Sequence, residues 1–236
     1  VVLLNGHGES YGKSFKEIFD DNNYDIKEIS LMLEDIPSGT DLLVLGAPYT
    51  DYTEEELEKL DAYLLKDFGS MMVFMAFDAD PLPNLESYFR EWGIEYTTQL
   101  VLDSKRALTF QPMVVPNIQK TDLSGTMSYD SNSYLCSPYS RAINVLWDEL
   151  SARTTSVELK SSDTSYAKDY SLSEKYSTFQ QESGDAVGPF NVAVLSQYWE
   201  WINNRAYYGR ILFFGSSAGA AAAGSAGSVS PASATG

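Results

Sequence analysis

The sequence predicts an α/β domain built on an open, mainly parallel sheet. Short apolar runs, each bounded by glycine or a polar turn, recur through residues 1–93. Between them lie stretches whose apolar residues fall at helical spacing. Strands alternating with helices in this way are the pattern of right-handed crossovers between parallel strands.

Residues 1–5, an unbroken apolar run Val1-Val2-Leu3-Leu4 with Asn5 before Gly6-His7-Gly8-Glu9, read as a buried parallel strand. Ser14 is placed to cap a short helix presenting Phe15, Ile18 and Phe19, which Asn22-Asn23 stops. Residues 24–29 alternate and read as a second strand. Residues 41–46 (Asp-Leu-Leu-Val-Leu-Gly) are another buried strand, with Ala47-Pro48-Tyr49-Thr50-Asp51 as the loop at its carboxyl end. Thr53 and Glu56 make a Thr-x-x-Glu capping box, and Leu57, Leu60 and Leu64 share one helical face. Gly69 ends that unit. Residues 70–77 are the next core strand, leading into Asp78-Ala79-Asp80-Pro81. Leu85, Tyr88, Phe89 and Trp92 form a second helical stripe closed by Gly93.

Residues 1–93 therefore form the first part of an α/β sandwich. Over residues 94–187 the pattern changes to a β-rich and loop-rich insertion expected over the carboxyl edge of the sheet. Strand-like pieces at 96–102, 107–110 and 113–115 alternate there with turn residues, and polar residues 161–185 read as a long loop. Residues 188–217 return as closing strands, at 188–195 and 210–217. Residues 218–236 are an Ala/Gly/Ser-rich tail, too poor in apolar surface to offset its ordering entropy.

Sixteen Lys and Arg against 33 Asp and Glu give a net charge of −17. That excludes a nucleic-acid role, which needs a cationic surplus on one face, and disfavours adhesion to an anionic membrane surface. The single cysteine, Cys136, forms no intrachain disulfide and reads as a small buried hydrophobe. No apolar run is long enough to span a bilayer. The chain begins on a strand without Met, which we read as an excised piece of a longer protein whose flanking segments leave room for membrane anchors.

His7 is the only histidine. In an open α/β sheet the crevice past the strand carboxyl ends is where ligands bind, and His7 sits at that edge. A lone histidine cannot complete most metal or acid–base constellations, so no metal and no cofactor is expected. Glu9 gives His7 a proton-transfer partner, while a hydrogen bond inside the glycine turn is the competing reading. Asp78 and Asp80 offer paired carboxylates, or solvated loop acids that cap the next helix. Gly6-His7-Gly8 lacks the third glycine of a dinucleotide fingerprint, and Glu9 repels a pyrophosphate. Arg141 supplies a fork suited to a carboxylate, or a structural ion pair.

Several stretches, in this order, resemble the GldG-like, ABC-type transport auxiliary component family. They are 3–9 (Leu-Leu-Asn-Gly-His-Gly-Glu), 41–48 with Thr50-Asp51 and the helix start at 53–57, Leu82-Pro83-Asn84-Leu85 before Trp92-Gly93-Ile94, Pro138-Tyr139-Ser140-Arg141-Ala142, 161–166, Gly188-Pro189-Phe190 and 209–217. The resemblance implies an extracytoplasmic domain anchored by transmembrane helices outside this chain, working beside an ABC permease and ATPase. It also implies a flavodoxin-like or class I glutamine amidotransferase-like fold without that group's catalytic residues. Related domains of intraflagellar transport proteins point to carbohydrate as a ligand class.

The resulting expectation is a non-enzymatic recognition domain that binds a small ligand, glycan or partner subunit. Its rim is formed by His7, Glu9, Pro48, Asp51, Asp78, Arg141 and Ser216, with Tyr49 or Tyr139 as stacking faces. The alternatives are an amidotransferase-like hydrolase or transferase using His7 with Glu9 or Ser216, and a structural spacer.

Overall fold

The first apolar run becomes β1 (Val2–Leu4), buried along its whole length. Helix α1 (Lys13–Asp21) follows and returns the chain to β2 (Lys27–Ile29). Ser14 does not cap α1; Gly12 occupies that position without a side-chain bond. Next come β3 (Leu43–Gly46), α2 (Glu54–Asp61), a wide turn at Ala62–Lys66, β4 (Ser70–Phe74) and α3 (Pro83–Glu91). The capping box forms as the sequence predicts: Thr53 Oγ1 accepts from the Glu56 N–H, and the Glu56 carboxylate accepts from the Thr53 N–H.

In the second half lie β5 (Ile94–Asp103), β6 (Met113–Val114), β7 (Asn117–Ile118), β8 (Ser137–Pro138) and β9 (Arg141–Val145). They are followed by β10 (Glu149–Leu150), β11 (Arg153–Lys160), β12 (Ser165–Asp169), β13 (Ala186–Val187), β14 (Asn191–Ile202) and β15 (Arg205–Phe214). This computed structural model describes residues 1–106, 113–125, 127–128, 134–169 and 179–217. The strand expected at 107–110, residues 170–178 of the expected loop and the tail at 218–236 lie outside the described residues.

The strands form one mixed sheet of 13, in the order β13-β12-β5-β9-β14-β15-β4-β3-β1-β2, with β11 also on β14 and carrying β7 and β10. Strands β6 and β8 pair separately. This overturns the predicted class. The fold is mostly β, with three short α-helices among the described residues, and is not an open parallel flavodoxin-like or amidotransferase-like α/β sandwich. Parallel pairing is confined to β2-β1-β3-β4-β15. Beyond β15 the pairing is antiparallel.

The physical reason lies in residues 94–214. The stretch expected over the edge instead extends the sheet in its own plane, because β5 and β12 pair over five consecutive positions, Ser165↔Asp103 to Asp169↔Gln99. The closing strands are the arms of one long hairpin, turned at Asn203-Asn204 with φ 50 and 62. That left-handed pair matches the right-handed twist of the flanking strands.

Helices cover both faces of the parallel half. On one, Leu60 and Leu64 with Leu85, Phe89 and Trp92 of the α3 segment pack on Leu45, Val73, Ile211 and Phe213. On the other, Phe15 of α1 packs on Leu3, Val44 and Phe74. Because β1, β3, β4 and β15 run the same way, the loops after them gather on one carboxyl rim.

Candidate functional site

The rim is built around a buried histidine. Gly6 and Gly8 take φ +116 and +89, and a Cβ on Gly6 would stand 2.8 Å from Ser30 Oγ. Both a left-handed backbone and that approach require glycine. The tight turn between them directs His7 inward, where it is 5% exposed. His7 Nε2 lies 2.8 Å from Glu56 Oε1, and Nδ1 lies 3.2 Å from Thr50 Oγ1. The ring stacks on Tyr52 at 4.0 Å. An ionised Glu56 only accepts, so Nε2 carries a proton, and in a neutral ring Nδ1 accepts from the Thr50 hydroxyl.

Backbone bonds complete the cluster. The His7 carbonyl accepts from the Tyr49 N–H at 2.7 Å and the Thr50 N–H at 3.1 Å. Glu9 folds back so that one carboxylate oxygen accepts from the His7 N–H at 2.7 Å and the other from the Tyr52 hydroxyl at 2.5 Å. The Tyr11 phenol ties the ends of β1 and β3, reaching the carbonyls of Leu4 at 2.7 Å and Val44 at 2.9 Å and accepting from the Gly46 N–H at 3.1 Å. The rim is thus held by a network that leaves no ring nitrogen of His7 without a protein partner.

Burial pushes the Glu56 carboxyl up, but hydrogen bonds from His7 and Thr53 outweigh it and hold the group below its ordinary value of 4.5. Asp103 behaves alike: burial raises it, while the Ser162 and Thr164 hydroxyls and the N–H groups of Lys105 and Arg106 bring it below 3.8. A carboxylate depressed in the folded state leaves the unfolded chain holding more protons as pH falls through the ordinary carboxylate range. Its stabilisation is complete above that range and is lost below it. The urea midpoint is expected to stay level from neutrality down to about pH 5 and to fall steadily in more acid solution. In Glu56→Gln this acid loss should be smaller.

The seven residues expected on the rim divide into two groups. His7, Glu9 and the 47–52 turn touch one another. Pro48 is buried in that turn, and Ala47 before it holds φ 57, a left-handed torsion that a residue with a Cβ adopts at a cost. Asp78 joins through the Tyr49 hydroxyl, which donates to it at 3.1 Å. Arg141 and Ser216 are engaged by other partners. Arg141 is buried, donates from Nε to the Thr97 carbonyl at 2.7 Å, covers the Tyr96 ring at 5.5 Å and sits 3.9 Å from Glu86. Ser216 is buried and donates to the Pro138 carbonyl.

Asp51 has a clear local role. Helix α3 has Leu82 at its cap position without a side-chain bond. Asp51 supplies the missing acceptor from another loop, taking the N–H groups of Asn84 at 2.8 Å and Leu85 at 3.0 Å. Helix starts leave such donors unpaired unless a side chain reaches them. Asp51→Ala is expected to lower stability by about 1–2 kcal/mol, read from urea denaturation.

Sequence reasoning missed Thr50, Tyr52 and Glu56 as members of the cluster. The capping box was the available signal for Glu56, since it set that carboxylate at the first turn of a helix leaving the same edge. Among the described residues no group of three or more His, Cys, Asp or Glu side chains converges to hold a metal ion. The Cys136 thiol is pushed up by burial, the opposite of an activated nucleophile. No helix among the described residues is long and apolar enough to cross a membrane.

Among solved structures, one titled "mmIFT52 N-terminal domain" is similar to this chain, with 15% identity and a TM-score of 0.62. The match covers 92% of this chain and 86% of that one, and at this identity it speaks for the fold alone. No curated protein matches the chain. Residues 1–124 match the family described as an ABC-type uncharacterized transport system. That match covers more than half of the sequence, including β1 to β4 and every residue of the His7 cluster, and the chain belongs to this transport-associated auxiliary family.

Proposed function

We propose that this chain is a non-catalytic recognition domain of a transporter-associated protein. In this reading flanking helices anchor it at the extracytoplasmic face, beside an ABC permease and its ATPase. The rim then meets a small hydroxyl-rich ligand, a glycan being the leading class. The observation that supports this most is the Tyr49–Asp78 pair. Tyr49 is 48% exposed, its hydroxyl meets the Asp78 carboxylate, and its backbone is fixed from beneath by the His7 carbonyl. An aromatic face beside a carboxylate acceptor suits a ligand with one apolar ring face and several hydroxyls.

A glycan array followed by titration calorimetry tests the reading. A binder whose affinity falls about tenfold in both Tyr49→Ala and Asp78→Ala supports it. An array with no binder, or a binder indifferent to both changes, overturns it.

One observation favours a second reading. Thr50, His7 and Glu56 form a hydroxyl–imidazole–carboxylate chain, the order used to activate a nucleophile. Against it, the N–H groups of Tyr49 and Thr50 are already bound by the His7 carbonyl, so neither is free to stabilise an oxyanion. Turnover of an ester or amide panel that disappears in Thr50→Val would establish this second reading. Absence of turnover would remove it.

A further inference from the structure

The opposite edge of the sheet carries a second surface. Strand β4 begins at Ser70, opposite Arg210, so the part of the β14–β15 hairpin before Arg210 projects past the amino edge with no β4 partner. The cross-strand register sets Leu195 opposite Leu212, Gln197 opposite Arg210 and Trp199 opposite Tyr208. Residues two apart share a face, so Leu195, Trp199, Trp201, Tyr208, Arg210 and Leu212 line one side of the hairpin.

The two sides of the hairpin tip are treated differently. On one, Phe68 stacks on Tyr198 at 6.4 Å and meets Tyr207 at 5.2 Å. Phe68 holds φ 54 to do so, a torsion unusual for a bulky residue. Gly209 lies against the Leu64 carbonyl on this side, where an added Cβ would stand 2.0 Å from it. This side is packed and fixes the hairpin in place.

The other side is open. Trp201 is 63% exposed. A depression of about 560 Å³ lies along this face, floored by Met72, Leu195 and Leu212 and bordered by Tyr208, Arg210 and Asp122. The Arg210 guanidinium is exposed and sits 4.8 Å over the Tyr208 ring. Arg210 and Asp122 are both exposed on the border of this depression, so the face offers one charge of each sign beside its apolar floor. Trp, Tyr and Arg together on a rigid platform are the side chains that dominate protein–protein binding energy. A preorganised surface loses little freedom on binding.

We propose that this face docks an amphipathic peptide segment of a partner protein. Its apolar side chains fill the depression and an Asp or Glu meets Arg210. A basic residue on the same segment complements Asp122. The proposal is independent of the rim and of any glycan.

The test uses a phage-displayed random dodecapeptide library panned on the whole chain. Enriched peptides are then synthesised with a fluorescent label and read by polarisation on chains checked for folding by circular dichroism. Enriched peptides should carry an acid among apolar residues. Their affinity should fall about tenfold in Arg210→Glu and in Trp201→Ser, and recover in Arg210→Glu when the peptide acid is changed to Lys. Three outcomes overturn the proposal. One is no enrichment, another is peptides without an acid, and the third is binding that ignores Arg210→Glu. Binding of vesicles of equimolar phosphatidylcholine and phosphatidylglycerol, lost in Trp201→Ser, with no peptide enriched, would make the face a membrane contact instead.

Discussion

His7→Ala is expected to destabilise the fold by about 3 kcal/mol. The change leaves Glu56, 1% exposed, without the partner that faces its Oε1 atom. Removing one member of a buried pair is far worse than removing both, because the remaining charge stays desolvated. It also opens the space where the imidazole stacks on Tyr52 at 4.0 Å and frees the Thr50 hydroxyl. The Tyr49 and Thr50 N–H bonds to the residue 7 carbonyl survive, so the turn is loosened rather than lost. Urea denaturation followed by circular dichroism measures the change. His7→Gln, which keeps an amide donor for Glu56, should recover part of it.

Gly209→Ala should have a comparable effect for a different reason, about 3 kcal/mol at the upper end of overpacking penalties. The obstacle is main chain: the Leu64 carbonyl oxygen lies 2.0 Å and its carbon 2.9 Å from the added Cβ. Neither atom turns aside as a side chain would. Strand β15 has to lift from the Ala62–Lys66 turn, pulling Tyr207 from Phe68 and disturbing the parallel pairing of Arg210 with Ser70. The same urea series reads the loss. Hydrogen exchange should localise it to Tyr207–Leu212, whereas His7→Ala should loosen the 47–52 turn.

The parallel half of the fold was legible because local pattern decided it. The strands Val2–Leu4, Leu43–Gly46 and Ser70–Phe74 fall within the runs read at 1–5, 41–46 and 70–77, and the Thr53–Glu56 box starts its helix where the spacing places it. In the antiparallel half the strands read at 96–102, 188–195 and 210–217 are present, but their pairing into one sheet and strand β12 were not legible from local pattern. Strand β12 reads Ser-Tyr-Ala-Lys-Asp, which looks like loop until Lys168, buried in the sheet, is seen to bind Glu182 at 2.7 Å and Asp185 at 2.9 Å. A strand whose polar residues are satisfied by distant acids leaves no hydrophobic alternation to read. The class failed with it, since β12 and β5 carry the sheet well beyond its parallel core.

The site divides the same way. The position of His7 and Glu9 followed from the glycine turn at a strand end. That Asp51 caps α3 and that Arg141 is buried on Tyr96 depends on contacts 34 and 45 residues away in sequence (Asp51 to Leu85, Arg141 to Tyr96), which no spacing rule reports. Polar residues drawn to one edge by topology divide between display and support, and only the coordinates separate Tyr49 and Asp78 from the residues beneath them.

We propose that His7 holds the rim together rather than acting on a ligand. A double-mutant cycle on His7 and Glu56 tests it directly, with His7→Ala, Glu56→Ala and the pair compared by urea denaturation. A favourable coupling of about 2 kcal/mol is expected, with the double variant no less stable than His7→Ala alone. A coupling near zero, in chains that fold normally while His7→Ala abolishes ligand binding or turnover, would contradict it.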